Sequence, residues 1–169
     1  FRGAILAPWP NRVINGAYTW DGADQQLALT EPARGHALHG LVVWQDFELC
    51  THSPTELVLA TVVQPQQGYP HRVRVQVIYR LDEQGLHTRV SLENLSAADA
   101  TVGWGSHSYL VAPGERVDEW LFELNAATVQ DVTADRLIPV AVGPVQDHPG
   151  GLDFRTARLI GDTFVDHAF

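Results

Sequence analysis

The sequence contains no lysine and no methionine, and only one cysteine among its 169 residues. All 11 basic residues are arginine, against 20 acidic residues, which gives a formal net charge of −9. A nucleic-acid-binding surface needs clustered basic charge that displaces counterions from phosphates. The sequence offers no such cluster, so nucleic acid is not expected as a partner.

Long apolar runs are also missing, and none approaches the roughly 20 residues that a membrane-spanning helix requires. The N-terminus shows no basic segment followed by an apolar stretch and a cleavage site. The sequence opens on Phe1 instead of methionine and stops on Phe169 without a polar tail. We therefore expect a cytoplasmic protein without a membrane partner, present here as part of a longer chain.

The single cysteine, Cys50, excludes an internal disulfide and a thiolate metal cluster. Residues 46–51 alternate like a strand, which predicts a buried structural thiol at Cys50. His36 and His39 lie three residues apart, but no further ligand pattern accompanies them. No metal site is expected.

Apolar residues recur with a period of two along most of the chain. The clearest case is residues 73–81, where Val73, Val75 and Val77 alternate with polar side chains, and residues 86–92 continue the pattern after a turn at 82–85. This pattern predicts a β-hairpin. Further strands are predicted at 17–20, 26–30, 43–51, 56–63, 100–105, 120–124, 128–132 and 137–140. Many short strands with turns between them favour an all-β sandwich or barrel, and we expect one domain over residues 1–169.

The eight histidines are candidates for proton transfer near neutral pH. His52, His71, His87 and His148 lie in polar turns or on predicted outward faces and are expected to be solvated. Residues 35–40 place His36 and His39 between glycines, which fits either a ligand pocket or a plain loop.

Three other clusters carry possible binding chemistry. Residues 103–109 place His107 between aromatic side chains and small residues, as a sugar site or a core corner would. Residues 9–12 end on Asn11 and Arg12, whose donors suit vicinal hydroxyls or a surface ion pair. Residues 162–167 hold two aspartates four apart, of which one is expected to point inward.

Taken together, these clusters resemble the aldose 1-epimerase (galactose mutarotase) family. The matching stretches are residues 2–13, 16–18, 37–40, 105–110 and 152–169, in the family's order along nearly the whole chain. The Ala-Pro-Trp-Pro-Asn-Arg segment at 7–12 is typical of a bacterial branch. The resemblance implies a large antiparallel β-sandwich, incomplete here, whose concave face binds a free aldohexose and interconverts its α and β anomers without a cofactor.

The resemblance also implies roles for individual residues. A histidine that matches His107 is the general acid on the ring oxygen, and one that matches His39 binds and polarises the sugar. The side chains matching Asn11, Arg12 and Asp166 hold hydroxyl groups, and Tyr109 lines the same pocket by its place in the motif. Asp162 does not match the motif and is expected to be structural.

One feature of the family is not matched. Its general base is a glutamate in a Glu-Pro motif beyond the aspartate motif, whereas the only Glu-Pro here, at 31–32, precedes His39. These 169 residues are therefore expected to have little mutarotase activity alone. Two alternatives stay open: an epimerase acting on a hexose 6-phosphate, for which Arg34, Arg72 and Arg74 are candidates, and a non-catalytic sugar-binding sandwich. The oligomeric state is not predicted.

Overall fold

A computed structural model describes residues 1–169, which divide into two compact units, Phe1–Tyr109 and Leu110–Phe169. Every paired strand is antiparallel to its partner. The only helical segments are two three-residue 3-10 turns, Val117–Glu119 and Val145–Asp147, and no helix is long and apolar enough to cross a bilayer. The prediction of an all-β chain is confirmed.

The first unit contains ten strands. They are β1 (Ile5–Leu6), β2 (Arg12–Ile14), β3 (Ala17–Trp20), β4 (Ala23–Gln26), β5 (His36–Leu38), β6 (Glu48–His52), β7 (Glu56–Val63), β8 (Val73–Asp82), β9 (Gly85–Asn94) and β10 (Gly105–Ser106). Strands β6 to β9 form a four-stranded meander in sequence order, while β1 pairs with β10, β2 with β5 and β3 with β4.

The predicted hairpin is confirmed as β8 and β9, which pair from Val73 opposite Asn94 to Asp82 opposite Gly85. Gly85 begins the return strand with φ of 120°, a conformation that side chains disfavour. Val73, Val75 and Val77 are fully buried, while Arg74 and Gln76 between them are half-buried. Each buried valine stabilises the fold by about 1.5–3 kcal/mol relative to exposure.

The core of the first unit joins this face of the meander to the segments that carry the candidate site. Ile5, Ala7 and Ala37 are buried in the same cluster as the β8 valines. Tyr69 is 1% exposed, and its hydroxyl donates a hydrogen bond to the Thr101 carbonyl at 2.9 Å. The strands that bear the site are thus anchored to the best-packed sheet of the unit.

The second unit contains β11 (Leu121–Phe122), β12 (Thr128–Val132), β13 (Pro139–Pro144) and β14 (Arg158–Leu159). Strand β11 pairs with β14 and β12 with β13. Its own small core consists of Val129, Val145, Leu152 and Phe154.

Several predicted strand limits are wrong. Residues 27–30 lie outside β4, residues 43–47 lie outside β6, and of the predicted strand at 100–105 only residue 105 belongs to a strand, β10. The backbone N–H groups of Leu41 and Val42 donate to the Ala7 carbonyl, and Gln45 N–H donates to Val42. The backbone of residues 41–45 therefore forms turns instead of a strand.

Three predictions of burial are also wrong, those for Cys50, His71 and His148, and the His148 side chain is only 13% exposed instead of solvated. Cys50 is exposed, because all of β6 lies at the open edge of the meander and the strand register shifts between Leu49 and Thr51. His71 is 5% exposed instead of solvated, and its ring packs edge-on against Tyr69 with centroids 5.0 Å apart.

Candidate active site

His39 lies immediately after β5, in a turn whose next position, residue 40, accommodates only glycine. His39 has φ of 63° and Gly40 has φ of 75°. A Cβ atom on Gly40 would lie 2.1 Å from the Ala7 carbonyl oxygen, which accepts a hydrogen bond from Leu41 N–H at 2.6 Å. Gly40 therefore allows its own backbone to lie close to the Ala7 backbone. The sequence had suggested that a glycine here allows close approach to a ligand.

Two reciprocal hydrogen bonds fix the His39 ring against Asn11. The His39 N–H donates to the Asn11 carbonyl at 2.8 Å, and the Asn11 N–H donates to His39 Nδ1 at 3.2 Å. Because Nδ1 accepts a hydrogen bond, the proton of the neutral imidazole lies on Nε2. His39 therefore presents an N–H donor at Nε2, which has no hydrogen-bond partner in the protein.

The surroundings of His39 favour this neutral form. Burial lowers the pKa of His39 below its ordinary value of 6.5, and the nearby positive charges of His107 and Arg12 lower it further. A histidine that stays neutral at pH 7 donates or accepts a hydrogen bond without carrying charge.

His107 is brought to His39 because β1 pairs with β10 and the residue that follows β1, Ala7, forms a bridge with Gly40. Its N–H donates to the Ala4 carbonyl at 2.9 Å, and Gly3 N–H donates to the His107 carbonyl at 2.9 Å. The two imidazole centroids lie 5.3 Å apart with an interplanar angle of 87°. Neither ring nitrogen of His107 has a hydrogen-bond partner in the protein, so both are available to a ligand.

Aromatic rings surround the two imidazoles. Tyr109 stacks on His107 at 5.5 Å, and Phe1 lies 4.8 Å from His39 and 5.9 Å from His107. Trp44, 81% exposed, lies 5.6 Å from Phe1. Such faces beside polar donors suit the C–H surface of a sugar. Trp44 was not among the predicted site residues, although a tryptophan five residues after His39 is a visible signal in the sequence.

Arg12 and Asn11 lie beside His39 because β2 pairs with β5. Arg12 Nη1 donates to Asn11 Oδ1 at 3.1 Å, while its Nε and Nη2 donate to the two carboxylate oxygens of Glu31 at 2.7 and 2.9 Å. Arg12 therefore forms an ion pair with Glu31, and its side chain is only 21% exposed.

Glu31 cannot serve as a base near neutral pH. Hydrogen bonds from Arg12, followed by those from Arg34, lower its pKa from 4.5 to about 2 despite the opposing effect of burial. A carboxylate of such low basicity is a poor proton acceptor. This agrees with its place in the sequence, which does not match the Glu-Pro motif of the family.

The other residues singled out in the sequence have different surroundings. His36 is fully buried, and its Nδ1 accepts a hydrogen bond from Asn15 N–H, so the two histidines of residues 35–40 have different roles. Asp166 belongs to the second unit, where it is exposed and its N–H donates to His167 Nδ1. Asp162 is exposed as well, so the expectation that one of the two aspartates points inward is wrong within this unit.

The structure thus brings together His39, His107, Asn11, Arg12 and Tyr109 in the first unit, with Phe1, Trp44 and Glu31 as further members. No group of three or more histidine, cysteine, aspartate or glutamate side chains is arranged to hold a metal ion. The site offers imidazole nitrogens without protein partners, a fixed guanidinium and aromatic faces, which suit a polyhydroxylated ligand.

Several known proteins are similar to this chain in sequence or in fold. The chain is 34% identical over 168 residues to the uncharacterized protein YihR of Escherichia coli K12, covering 99% of this chain and 54% of that protein. It is 27% identical to the aldose 1-epimerase of Escherichia coli K12, covering all of this chain and 52% of that enzyme. The chain therefore spans about half the length of these relatives.

A solved structure from Escherichia coli K12, described as a candidate aldose 1-epimerase, superposes with a TM-score of 0.74 at 23% identity, covering 90% of this chain and 49% of that chain. This likeness confirms the predicted all-β sandwich fold. A family model described as aldose 1-epimerase matches residues 1–169. The chain belongs to the aldose 1-epimerase family.

Proposed function

We propose that the protein is a mutarotase that interconverts the α and β anomers of a free aldohexose, with His107 as the general acid. The observation that supports this most strongly is the pair of imidazoles, His39 and His107, with centroids 5.3 Å apart and nitrogens available to a ligand. Family membership makes the same class of reaction the first expectation.

The reaction moves two protons. His107 delivers a proton to the ring oxygen as the bond between that oxygen and C1 breaks, while a base removes the proton of the C1 hydroxyl. The open aldehyde rotates about C1–C2, and ring closure reverses both transfers. General acid–base catalysis of this kind contributes about 10²–10⁴-fold for each positioned group.

His39 acts beside this acid as a neutral hydrogen-bond donor. Its Nε2–H bonds a sugar oxygen, while the Asn11 backbone keeps the opposite nitrogen occupied. A neutral donor next to His107 avoids repulsion when His107 carries the proton that it will deliver.

Asn11, Arg12, Tyr109 and Asp166 complete the proposed sugar contacts. Arg12 and Asn11 are bonded to each other, so their donors are presented together to neighbouring hydroxyls. Tyr109, 56% exposed and stacked on His107, forms one wall. Asp166 is assigned by its match to the family's motif, and Asp166→Asn should weaken sugar binding in the full-length protein.

The base is not assigned to a residue of this chain, because the family's Glu-Pro motif is unmatched and Glu31 is held by two arginines. Polarimetry of freshly dissolved α-D-glucose and α-D-galactose tests the proposal. The full-length protein should accelerate mutarotation, and residues 1–169 alone should do so little or not at all. Equal turnover by the two would show that the base lies within these residues.

The same assay separates the alternatives. Arg34, a candidate for binding a sugar phosphate, bonds Glu31 at 2.9 Å, and the Arg74 side chain lies on the meander strand β8. Glucose 6-phosphate should therefore be a poorer substrate than glucose. A full-length protein that binds hexose, as followed by tryptophan fluorescence, without accelerating mutarotation would be a sugar-binding sandwich and not an enzyme.

A further inference from the structure

Glu31 is the most strongly bonded carboxylate near the candidate site, yet nothing so far assigns it a function. Its side chain is only 12% exposed. One oxygen accepts hydrogen bonds from both Arg12 Nη2 and Arg34 Nη1 at 2.9 Å, and the other accepts from Arg12 Nε at 2.7 Å. Charge-assisted bonds in this two-pronged arrangement are among the most directional in proteins.

These bonds constrain the guanidinium of Arg12. Two of its three nitrogens are held by Glu31, and the third donates to Asn11 Oδ1. Because the guanidinium is planar, three bonds in one plane fix its orientation. The Asn11 backbone is in turn joined to His39 by two hydrogen bonds, one with the His39 N–H and one with His39 Nδ1. A continuous set of hydrogen bonds therefore links Glu31 to the imidazole.

The position of Glu31 is itself fixed by the fold. Its N–H donates to the His36 carbonyl at 3.0 Å, and the two residues form an isolated antiparallel bridge at the start of β5. The carboxylate is thus anchored to the strand that ends at His39.

We propose that Glu31 is a positioning residue for sugar binding, which holds Arg12 against Asn11 so that both side chains face the substrate beside His39. The inference rests on the proposed sugar site. It differs from a purely structural ion pair because removal of the carboxylate should weaken sugar binding specifically, through Arg12.

The test compares Glu31→Gln with Arg34→Ala in the full-length protein, by polarimetry over a range of hexose concentrations. Each variant removes an ion pair at Glu31, but only Glu31→Gln releases Arg12. Glu31→Gln should raise KM about tenfold, as expected for loss of bonds to a charged group. Arg34→Ala should leave KM and kcat unchanged. Because uniform binding is lost, kcat of Glu31→Gln should change much less than KM.

A double-mutant comparison tests whether the effect passes through Arg12. In an Arg12→Ala background, the added Glu31→Gln change should raise KM no further. If Glu31→Gln fails to fold, Glu31→Asp keeps the charge on a shorter side chain and should give a smaller rise in KM. An unchanged KM in folded Glu31→Gln or Glu31→Asp, with only a lower melting temperature, would overturn the proposal, as would an equal effect of Arg34→Ala.

Failure of the Glu31 proposal can be distinguished from failure of the proposed function. If the unmodified protein binds hexose without turnover, the catalytic proposal fails, and the Kd from tryptophan fluorescence replaces KM in the same comparison of variants. If the unmodified protein neither binds nor converts hexose, both proposals are overturned.

Discussion

Each unit of the molecule contains a pair of neighbouring histidines with almost the same geometry. His39 and His107 have centroids 5.3 Å apart at 87°, and His148 and His167 have centroids 5.4 Å apart at 72°. Their hydrogen bonds differ. His148 uses both ring nitrogens within the protein, since Nε2 bonds Asp131 Oδ1 at 3.0 Å and Nδ1 accepts from Gly150 N–H at 3.0 Å.

The difference shows that closeness of two imidazoles does not by itself indicate chemistry. In the first pair, only Nδ1 of His39 is bonded, and three ring nitrogens stay available. In the second pair, the His148 ring connects Asp131 of β12 to Gly150 in the loop after Val145–Asp147, and these hydrogen bonds stabilise the fold. We therefore expect substitutions in the first pair to change activity and those at His148 to change stability.

The largest effect is expected for His107→Ala. Loss of the general acid should lower the acceleration of mutarotation by the full-length protein about 10²–10⁴-fold. The melting temperature should change little, because the ring makes no hydrogen bond within the protein. A variant that keeps its activity, measured by polarimetry with freshly dissolved α-D-galactose, would remove His107 from the mechanism.

His39 should give a smaller effect that depends on the replacement. His39→Ala removes the Nε2 donor and should lower kcat/KM about 10–100-fold, the usual cost of one well-placed hydrogen bond in a site. His39→Gln retains an amide N–H and should be less impaired in the same assay. Equal loss in both variants would show that His39 acts through more than a neutral donor.

Glu31 should make the stability of the first unit depend on acid. Its pKa is about 2 in the folded chain, against 4.5 ordinarily, so the unfolded chain takes up the proton first as the pH falls. The free energy of unfolding should therefore decrease between pH 4.5 and 2, by about 2 kcal/mol. Urea denaturation of Glu31→Gln should lack this part of the slope; an identical slope would contradict the assigned ion pairs.

The smallest effect is expected for His148→Ala, the matched control from the second pair. Loss of its bonds to Asp131 and Gly150 should destabilise the second unit by about 1 kcal/mol, since Asp131 is half exposed. Mutarotation should be unchanged. A large loss of activity in a folded His148→Ala variant would show that the second pair, like the first, contributes to activity.

Much of the fold could be predicted from the sequence, because its best strands follow a strict period of two. The β8–β9 hairpin and β7 were predicted almost to the residue, since burial on one face forces alternation. Residues 43–47 were predicted to begin a strand, but the Ala7 carbonyl accepts hydrogen bonds from the preceding N–H groups of Leu41 and Val42, a long-range contact that no local pattern reveals.

The candidate site was predictable only in part. The motifs around His39 and His107 were recognisable, and the structure brings them together through the pairing of β1 with β10 and the bridge between Ala7 and Gly40. The role of Glu31 was not visible, because its partner Arg12 lies 19 residues away and only the β2–β5 pairing brings the two together. Which ring nitrogens of His39 and His148 are hydrogen-bonded also depends on backbone geometry. The spacing of residues along the sequence does not reveal it.

The most direct test of the central claim follows both histidine pairs in one sample. Imidazole nitrogen resonances of the full-length protein, labelled with ¹⁵N at histidine, are recorded by NMR during a titration with galactose. We expect shifts at Nε2 of His39 and at the ring nitrogens of His107, with those of His148 unchanged. Shifts confined to His148, or none at His39 and His107 under saturating sugar, would contradict a sugar site at His39 and His107.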